Sequence, residues 1–327
     1  MKFYTNTHKH YCGIDLHAKS MYVCIIDNTG EILLHRNIRA DAKYLLKILE
    51  PYREDLVLAV ECMFSWYWLA DLCAEENIEF VLGHALYMKA IHGGKAKNDK
   101  IDSHKIAGLL RGGMFPTAYV YPAEMRSARD LTRRRTYFVR KRAELLTHTQ
   151  ILRIQNNLPE FKRLIRSRYG KTREGISEQF EDKYVKISVE LNTKTIDFYD
   201  ENLKSLEREI LKAAKNHDHD NFRILKSVPG IGDILAQTIL YEVHTIERFP
   251  RVQDFLSYSR LVKCQKQSAG KNYGSSGKKI GNVHLKWAFS EASIMMLRNE
   301  EIKKYLQKLQ RKHCKGCLLY TSPSPRD

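Results

Sequence analysis

One carboxylate, Asp15, lies inside an apolar stretch near the start of the chain. The segment 11–27, YCGIDLHAKSMYVCIID, is rich in Ile, Val and Tyr and predicts two strands, Tyr11–Leu16 and Met21–Asp27, joined by a short turn. A carboxylate within such a strand is costly to desolvate unless a partner or a metal ion compensates for the lost water. Asp15 is therefore a candidate metal ligand.

Three further acids, Glu61, Asp99 and Asp102, can converge on Asp15. Glu61 lies toward the end of Leu56–Met63, a nearly continuous apolar run that predicts a central buried strand. Asp99 and Asp102 are three residues apart, so they face the same way at the start of a helix. Carboxylate oxygens suit Mg²⁺ (or Mn²⁺), and phosphodiester cleavage commonly uses two such ions. The alternatives are that Asp102 caps a helix and that Glu61 ends a strand at a solvated edge.

The charge of the chain indicates what this metal site would act on. The 327 residues include 55 Lys and Arg against 38 Asp and Glu, a formal net charge of +17. Such a balance favours a nucleic acid or an anionic membrane as the partner. We find no run of about 18 apolar residues and no N-terminal signal segment, so we expect a nucleic-acid partner and a cytosolic location. The seven cysteines are scattered, which predicts free thiols.

A long helix-forming run at 123–158 is the strongest electrostatic feature. Its excess of arginine predicts a surface that tracks a nucleic-acid backbone, whereas a solvated helix face is the ordinary explanation of a charge run. Apolar residues recur in it near heptad spacing, and a second helical run follows at 174–216, so the two predict an antiparallel coiled-coil hairpin. The arginines proposed to contact nucleic acid are Arg126, Arg129, Arg133 and Arg134.

Two segments of the C-terminal part could contact phosphate. Val228–Gly232, VPGIG, would expose backbone N–H groups, including those of Gly230 and Gly232, at a helix N-terminus, although a plain helix–helix turn is an equal alternative. Ser268 lies in a Gly-, Ser- and Lys-rich stretch, 264–282. A serine is a nucleophile only if a base or a metal activates it, so spacing alone favours a loop that grips phosphate. The lysines predicted to contact phosphate there are Lys271, Lys278 and Lys279.

The remaining periodicity places these residues in an α/β layer followed by helices. Three leading antiparallel strands precede alternating helices and strands, which is typical of an α/β domain. The further predicted strands are Glu31–Ile38, Glu79–Leu86 and an edge strand Ala118–Tyr121. The predicted helices are Asp41–Tyr52, Ser65–Glu76, Asp102–Arg111, Asp233–Val243, His284–Arg298 and Glu300–Lys315.

The motifs resemble those of the "one-ten" family of insertion-sequence transposases, also called DEDD transposases. GIDLHAKS at 13–20 is similar to the first-strand motif of the family, and KNDKIDS at 97–103 to its second acidic motif. SVPGIG at 227–232 and the stretch 258–292 are similar to its C-terminal transposase domain. The resemblance covers about residues 10–316, and 258–292 is its most specific part.

The resemblance implies an α/β plus all-α architecture of three domains. They would be a RuvC-like (RNase H-type) catalytic domain with a mixed sheet at 8–122, a basic coiled-coil linker at 123–218, and a small helical transposase domain at 219–316 with a helix-hairpin-helix-like turn. It further implies that Asp15, Glu61, Asp99 and Asp102 hold Mg²⁺ and that Ser268 attacks DNA to form a transient phosphoserine link.

The resemblance also implies the partners and the setting of the protein. Family members act on the ends of their DNA element and on target DNA, and form dimers that assemble into tetramers, in which the serine of one subunit meets the metal site of another. A structured non-coding RNA from the element guides the better-understood members. The expected location is the bacterial cytoplasm, at the nucleoid when the protein is bound to DNA.

The C-terminal residues 317–327, CLLYTSPSPRD, depart from the family pattern. The string resembles the conceptual translation of a sequencing adapter, so we expect a gene truncated at about residue 316 and a disordered tail. Ser103 also stands where the family more often has alanine.

Two alternatives to a serine recombinase remain open from the residues. One is a RuvC-type, structure-specific endonuclease, in which water is the nucleophile and Ser268 only grips phosphate. The other is an inactive nucleic-acid-binding remnant, which predicts salt-sensitive binding without cleavage.

Overall fold

A computed structural model of the chain describes residues 2–91, 98–160, 173–262, 264–276 and 280–310. The chain divides between Ala123 and Glu124 into two compact units. Lys278, Lys279 and the predicted tail 317–327 lie outside the described residues. No helix within the described part of the chain has the length and apolar character needed to span a membrane.

A five-stranded mixed sheet forms the centre of the first unit. The spatial order is β4-β3-β2-β5-β6, in which β2–β3 and β3–β4 are antiparallel while β2–β5 and β5–β6 are parallel. The predicted trio of leading antiparallel strands is thus confirmed, and the sheet is consistent with an RNase H-type domain. The strands of this unit are β1 (Phe3–Tyr4), β2 (His10–Leu16), β3 (Ser20–Asp27), β4 (Ile32–Arg39), β5 (Leu56–Glu61), β6 (Glu79–Gly83) and β7 (Phe115–Pro116).

Helices cover both faces of this sheet. On one face the buried side chains of β2, such as Ile14, share a core with Leu45 and Leu69 from two helices. On the other face Tyr11 packs in a core with Ala107. Both faces of β2 and β5 are therefore buried, which explains their nearly continuous apolar sequence. The helices are α1 (Ala42–Leu49), α2 (Tyr67–Glu75), α3 (Ala85–Ile91) and α4 (Asp99–Arg111).

Several predicted elements in this unit differ from the structure. The strand predicted at Glu79–Leu86 ends at Gly83, and Ala85 and Leu86 belong to α3. Ala118–Tyr121 is not a strand; instead Phe115–Pro116 pairs with Phe3–Tyr4, a partner more than a hundred residues away that local pattern cannot reveal. The helix predicted from Asp102 begins at Asp99, because the Asn98 side chain caps it by accepting a hydrogen bond from the Ile101 N–H at 2.8 Å. Asp102 is therefore not the cap.

Gly13 lets α4 lie directly on β2. A Cβ at this position would overlap the carbonyl oxygen of Ser103 and the backbone nitrogen of Ala107. The close approach brings the first turn of α4 toward the carboxyl end of β2, where Asp15 lies.

We expect Gly13→Ala to lower the free energy of unfolding by about 1–3 kcal/mol, since the added methyl group overpacks the α4–β2 contact. Urea unfolding of the two proteins measures this difference. Gly108→Ala on the same helix is the matched control, because a Cβ there meets nothing within 4 Å. Alanine in a helix is about 1 kcal/mol better than glycine, so this control should be neutral or stabilised. Equal stability of wild type and Gly13→Ala would contradict the prediction.

The described part of the second unit contains two long helices, shorter helices and one hairpin. The long helices run antiparallel, because Arg135 contacts Glu207 and Arg142 contacts Asp200 while Asn192 contacts Thr149. A coiled-coil description of the pair stays a prediction. The elements are α5 (Ala123–Gln155), α6 (Lys183–His217), α7 (His219–Ser227), α8 (Asp233–Val243), α9 (Val252–Tyr258), β8 (Cys264–Ser268), β9 (Lys271–Ser276), α10 (Val283–Met296) and α11 (Glu300–Gln310).

The buried face of α5 consists mainly of Arg and Thr rather than of the predicted apolar repeat. The predicted repeat consists of Leu131, Phe138, Leu145, Leu146 and Leu152, and its first member, Leu131, is 37% exposed. Arginines are buried instead, and acids on α6 neutralise two of them, Arg135 and Arg142; Arg142 Nε lies 2.6 Å from an Asp200 carboxylate oxygen. Such pairs are stable only when both charges are matched and hydrogen-bonded. The buried residues of α5 are Met125, Arg126, Arg129, Thr132, Arg135, Thr136, Arg142, Thr149 and Arg153.

Candidate metal centre and nucleic-acid interface

The carboxyl edge of the central strands places Asp15 beside Glu61. Asp15 is the penultimate residue of β2 and Glu61 is the last residue of β5. In this parallel pair Ile14 is opposite Val60. Asp15 and Glu61 are the next residue of each strand, so they lie side by side on neighbouring strands. Side chains alternate between the faces of a sheet, and Tyr11 and Ala59 both pack toward α4. Asp15 and Glu61 therefore lie on the α4 face.

Helix α4 brings the other two acids to that face. Asp99 and Asp102 both lie in its first turn, three residues apart on one side of the helix. Asp99 is half exposed, whereas the Asp102 side chain is less exposed and lies 3.5 Å from Lys105 Nζ. The close packing at Gly13 fixes the distance of this turn from β2.

The tightest group at this edge is Asp15, His17 and Asp99. Their potential ligand atoms all lie within 4.8 Å of one another. His17 Nε2 is 3.6 Å from an Asp15 oxygen and 3.4 Å from an Asp99 oxygen. Among the residues the structure describes, Glu61 and Asp102 are not in a group of this tightness. The donor set of two carboxylates and an imidazole, with two further acids nearby, fits a divalent cation.

His17 was missed by the sequence analysis. Its position two residues after Asp15 could have indicated it, because alternate residues of a strand point to the same face of the sheet. An imidazole adjacent to an apolar strand was too common a feature to stand out.

Ser268 lies at the tip of a β-hairpin in the second unit. It ends β8 and pairs with Lys271, the first residue of β9, across a two-residue turn. Ala269 and Gly270 have φ of 48° and 73°, which is the pattern of a type I′ hairpin turn. The sequence predicted only a loop here. Ser268 and Lys271 are both exposed, so the hydroxyl and an ammonium group are presented together.

The two ends of this hairpin segment are held together at its base. The Arg260 Nε donates to the Gly281 carbonyl at 2.8 Å, and the Asn282 N–H donates to the Tyr258 carbonyl at 2.6 Å. Gly281 has φ of 92°, and a Cβ there would lie 2.6 Å from the Tyr258 oxygen. Glycine is therefore required at this position.

A buried ion cluster joins α5, α8 and α10 near the same base. Glu242 is 1% exposed and receives hydrogen bonds from Arg129 Nε at 3.1 Å, Arg133 Nε at 2.6 Å and Asn282 Nδ2 at 2.7 Å. Burial by itself would raise the pKa of Glu242. The Arg133 hydrogen bond, the charges of Arg129 and Arg133, and the Asn282 hydrogen bond outweigh burial and hold this pKa at about 2. Glu242 is thus a stable carboxylate at neutral pH.

This cluster changes how the predicted arginine surface is made up. Arg126 and Arg129 are only 6% and 8% exposed, and Arg133 is paired with Glu242. Of the four predicted arginines, Arg134 is the one exposed to solvent, with its guanidinium 4.7 Å from the ring centres of both Tyr137 and Phe138. Arg133 is partly exposed although it is paired, so the exposed part of the predicted surface consists of Arg134 and part of Arg133.

The VPGIG turn joins α7 to α8 as a helix hairpin. Gly230 has φ of 89°, and a Cβ there would lie 2.7 Å from the Ala292 carbonyl, so packing requires glycine. Gly232 is the N-cap of α8, and a Cβ there would meet nothing within 4 Å. The turn lines a groove of about 1280 Å³ that also includes Lys204, Arg208, Lys226 and Arg298. Two acids, Glu207 and Asp233, line it as well.

Comparison with known families agrees with the resemblance. Residues 222–307 match a family model described as "Transposase IS116/IS110/IS902 family". Residues 12–172 match a model of IS110-type DEDD transposases, described as "Transposase". No curated protein is matched by the chain. The mixed sheet with acids at its carboxyl edge and these two matches define a transposase. The chain belongs to the IS110 family of insertion-sequence transposases, which act on DNA and use divalent metal ions.

Proposed function

We propose that this transposase cleaves and rejoins DNA strands through a phosphoserine link made by Ser268, with Asp15, Glu61, Asp99 and Asp102 as its metal ligands. The observation that carries the proposal is the convergence of Asp15 with Asp99 at the carboxyl edge of the sheet, in a chain whose second unit presents Ser268 at an exposed hairpin tip. A divalent ion at the acids would stabilise negative charge on the phosphate and assist ionisation of an attacking hydroxyl.

In the proposed reaction one bond to phosphorus forms and another breaks. The Ser268 oxygen forms a bond to phosphorus and loses its proton to a base or to solvent. The bond from phosphorus to one deoxyribose oxygen breaks, and that oxygen leaves as a DNA hydroxyl. Rejoining is the reverse reaction with a hydroxyl of a different strand, so no external energy source is needed. Lys271, opposite Ser268, places a positive charge near the phosphate.

Several positive or backbone groups support DNA binding in this proposal. Lys271 and Arg134 are exposed, and the N-terminus of α8 at Gly232 is open to a phosphate. Lys278 and Lys279 are proposed from the sequence alone. Contacts of this kind hold the backbone without reading base sequence.

The proposed assembly is the one that membership of the family implies. Dimers that form a tetramer would bring the serine of one subunit to the metal site of another, in the cytoplasm at the nucleoid. A structured RNA from the element would guide the complex to donor and target DNA; the net charge of +17 supports binding of such polyanions. The three-domain division at residues 122 and 218 is proposed on the same ground.

We expect Ser268→Ala to abolish covalent attachment of DNA to the protein, because the alanine offers no oxygen to phosphorus. The assay combines the protein, Mg²⁺, labelled DNA spanning an element end and its flank, and RNA transcribed from the non-coding flank. Label that migrates with the protein on a denaturing gel measures the adduct. Ser290→Ala is the matched control, because Ser290 is an exposed serine of the same unit whose hydroxyl donates to the Lys286 carbonyl.

Cleavage without an adduct that survives Ser268→Ala would overturn the serine mechanism and favour the endonuclease that uses water. Binding without any cleavage, with either Mg²⁺ or Mn²⁺, would overturn it in favour of the inactive remnant.

A further inference from the structure

His17 is the one member of the tight group at the sheet edge that is not an acid. Its Nε2 atom lies 3.4 Å from an Asp99 oxygen and 3.6 Å from an Asp15 oxygen. The side chain is 52% exposed, so it is not held there by core packing. An interaction with the two carboxylates, direct or through a shared ion, therefore accounts for its position.

The backbone fixes where the imidazole can reach. The His17 N–H donates to the Ser20 carbonyl at 2.9 Å, which closes the turn between β2 and β3. His17 thus follows the strand directly and lies two residues after Asp15, on the α4 side of the sheet. Asp99 approaches from the first turn of α4, so the three side chains come from two independent elements.

The two distances from the imidazole to the carboxylates are those of ligands that share one ion. Nitrogen and oxygen ligands bind a divalent transition metal at about 2.0–2.2 Å, so two ligands on one ion are roughly 3.0–3.6 Å apart. Both distances from His17 Nε2 lie in this range. An ion pair between a protonated imidazole and the carboxylates would give similar distances, and detection of nitrogen bound to the metal ion distinguishes the two arrangements.

We propose that His17 supplies a nitrogen ligand to the divalent metal ion that Asp15 and Asp99 hold, and that this ligand makes the site favour Mn²⁺ over Mg²⁺. Imidazole nitrogen binds transition metals well, whereas Mg²⁺ takes carboxylate oxygens and water. The inference rests on the metal site of the proposed function, and it adds a ligand and a metal preference to that site.

The experiment measures metal binding rather than activity. Mn²⁺ is titrated into the full chain and followed by electron paramagnetic resonance, and electron spin echo envelope modulation then detects nitrogen bound directly to the ion. We expect nitrogen modulation in the wild type and its loss in His17→Gln, together with Mn²⁺ binding weakened by at least about tenfold. Mg²⁺ binding, measured by competition with Mn²⁺, should weaken less. His104→Gln is the matched control, since His104 is an exposed histidine on α4 outside the group, and it should retain the modulation.

Three results would overturn the inference, and they distinguish its failure from that of the proposed function. Mn²⁺ bound to the wild type without nitrogen modulation, or with modulation that persists in His17→Gln, would remove His17 from the ligands and leave the proposed function standing. Absence of Mn²⁺ binding to the wild type would contradict both the inference and the metal-dependent function.

Discussion

Asp15→Asn should reduce DNA strand cleavage by roughly a thousandfold while leaving the fold intact. Asp15 is the acid that neighbours Glu61 across the β2–β5 pair and belongs to the tight group with Asp99. An amide of the same shape removes one charged ligand, and a metal ion contributes several kcal/mol of transition-state charge stabilisation. Loss of about 4 kcal/mol corresponds to about a thousandfold in rate. Single-turnover cleavage of labelled element-end DNA measures the effect.

The control for this variant is Glu54→Gln. Glu54 is an exposed acid of the same unit that pairs with Lys9 at 2.7 Å, away from the carboxyl edge of the sheet. It should cleave at the rate of the wild type, and circular dichroism should show the same helix content for all three proteins. A cleavage rate for Asp15→Asn within tenfold of the wild type would be incompatible with Asp15 as an essential ligand.

Glu242→Leu should destabilise the second unit by about 3–5 kcal/mol. The substitution leaves the guanidinium groups of Arg129 and Arg133 without their carboxylate, and Arg129 is only 8% exposed. Removing one partner of a buried ion pair is far more costly than replacing the whole pair. Urea unfolding followed by far-ultraviolet circular dichroism measures the change, since α5 and α6 contribute much of the helical signal.

The same cluster predicts a dependence on pH. The pKa of Glu242 is about 2 in the folded protein against an ordinary 4.5. A lowered folded-state pKa means that this stabilisation is complete above pH 4.5 and is lost as the pH falls toward 2. The loss amounts to about 3 kcal/mol at 1.36 kcal/mol for each pKa unit. Glu242→Gln should show a smaller loss of stability on acidification than the wild type.

Two further variants test this explanation. Glu247→Gln, at an exposed acid of the same unit, should be as stable as the wild type. The triple variant Arg129→Met, Arg133→Met, Glu242→Leu should regain most of the stability, because it removes the unpaired charges as well. A change below 1 kcal/mol in Glu242→Leu would show that the cluster contributes little.

Much of the fold around the candidate metal site can be predicted from the sequence, because local patterns indicate its strands and helices. The strand around Asp15 and the buried strand before Glu61 follow from apolar runs, and the helix α8, Asp233–Val243, was predicted at its observed bounds. The three antiparallel leading strands follow from short turns between them. The family membership follows from short motifs, and the family models confirm it.

Charged residues on α5 show where the local pattern fails. Their sequence indicates an exposed basic surface. Arg129 is nevertheless buried, because the carboxylate of Glu242 neutralises it, and Glu242 lies more than a hundred residues away in sequence. Whether an arginine faces solvent depends on whether the fold brings an acid to it, and no window of sequence around Arg129 contains that acid.

The sequence by itself determined the class of the protein and its candidate nucleophile through the resemblance of its motifs, and its candidate acids through residue type and short-range spacing. Only the tertiary structure decided that His17 joins Asp15 and Asp99, that Ser268 lies on a hairpin tip, and which arginines remain exposed. The His17 group and the exposure of the arginines depend on contacts between segments that are distant in sequence, whereas the hairpin at Ser268 is a local pairing that the Gly-, Ser- and Lys-rich pattern did not indicate. The close packing of α4 on Gly13 is such a contact, and it sets the spacing of the acids at the edge of the sheet.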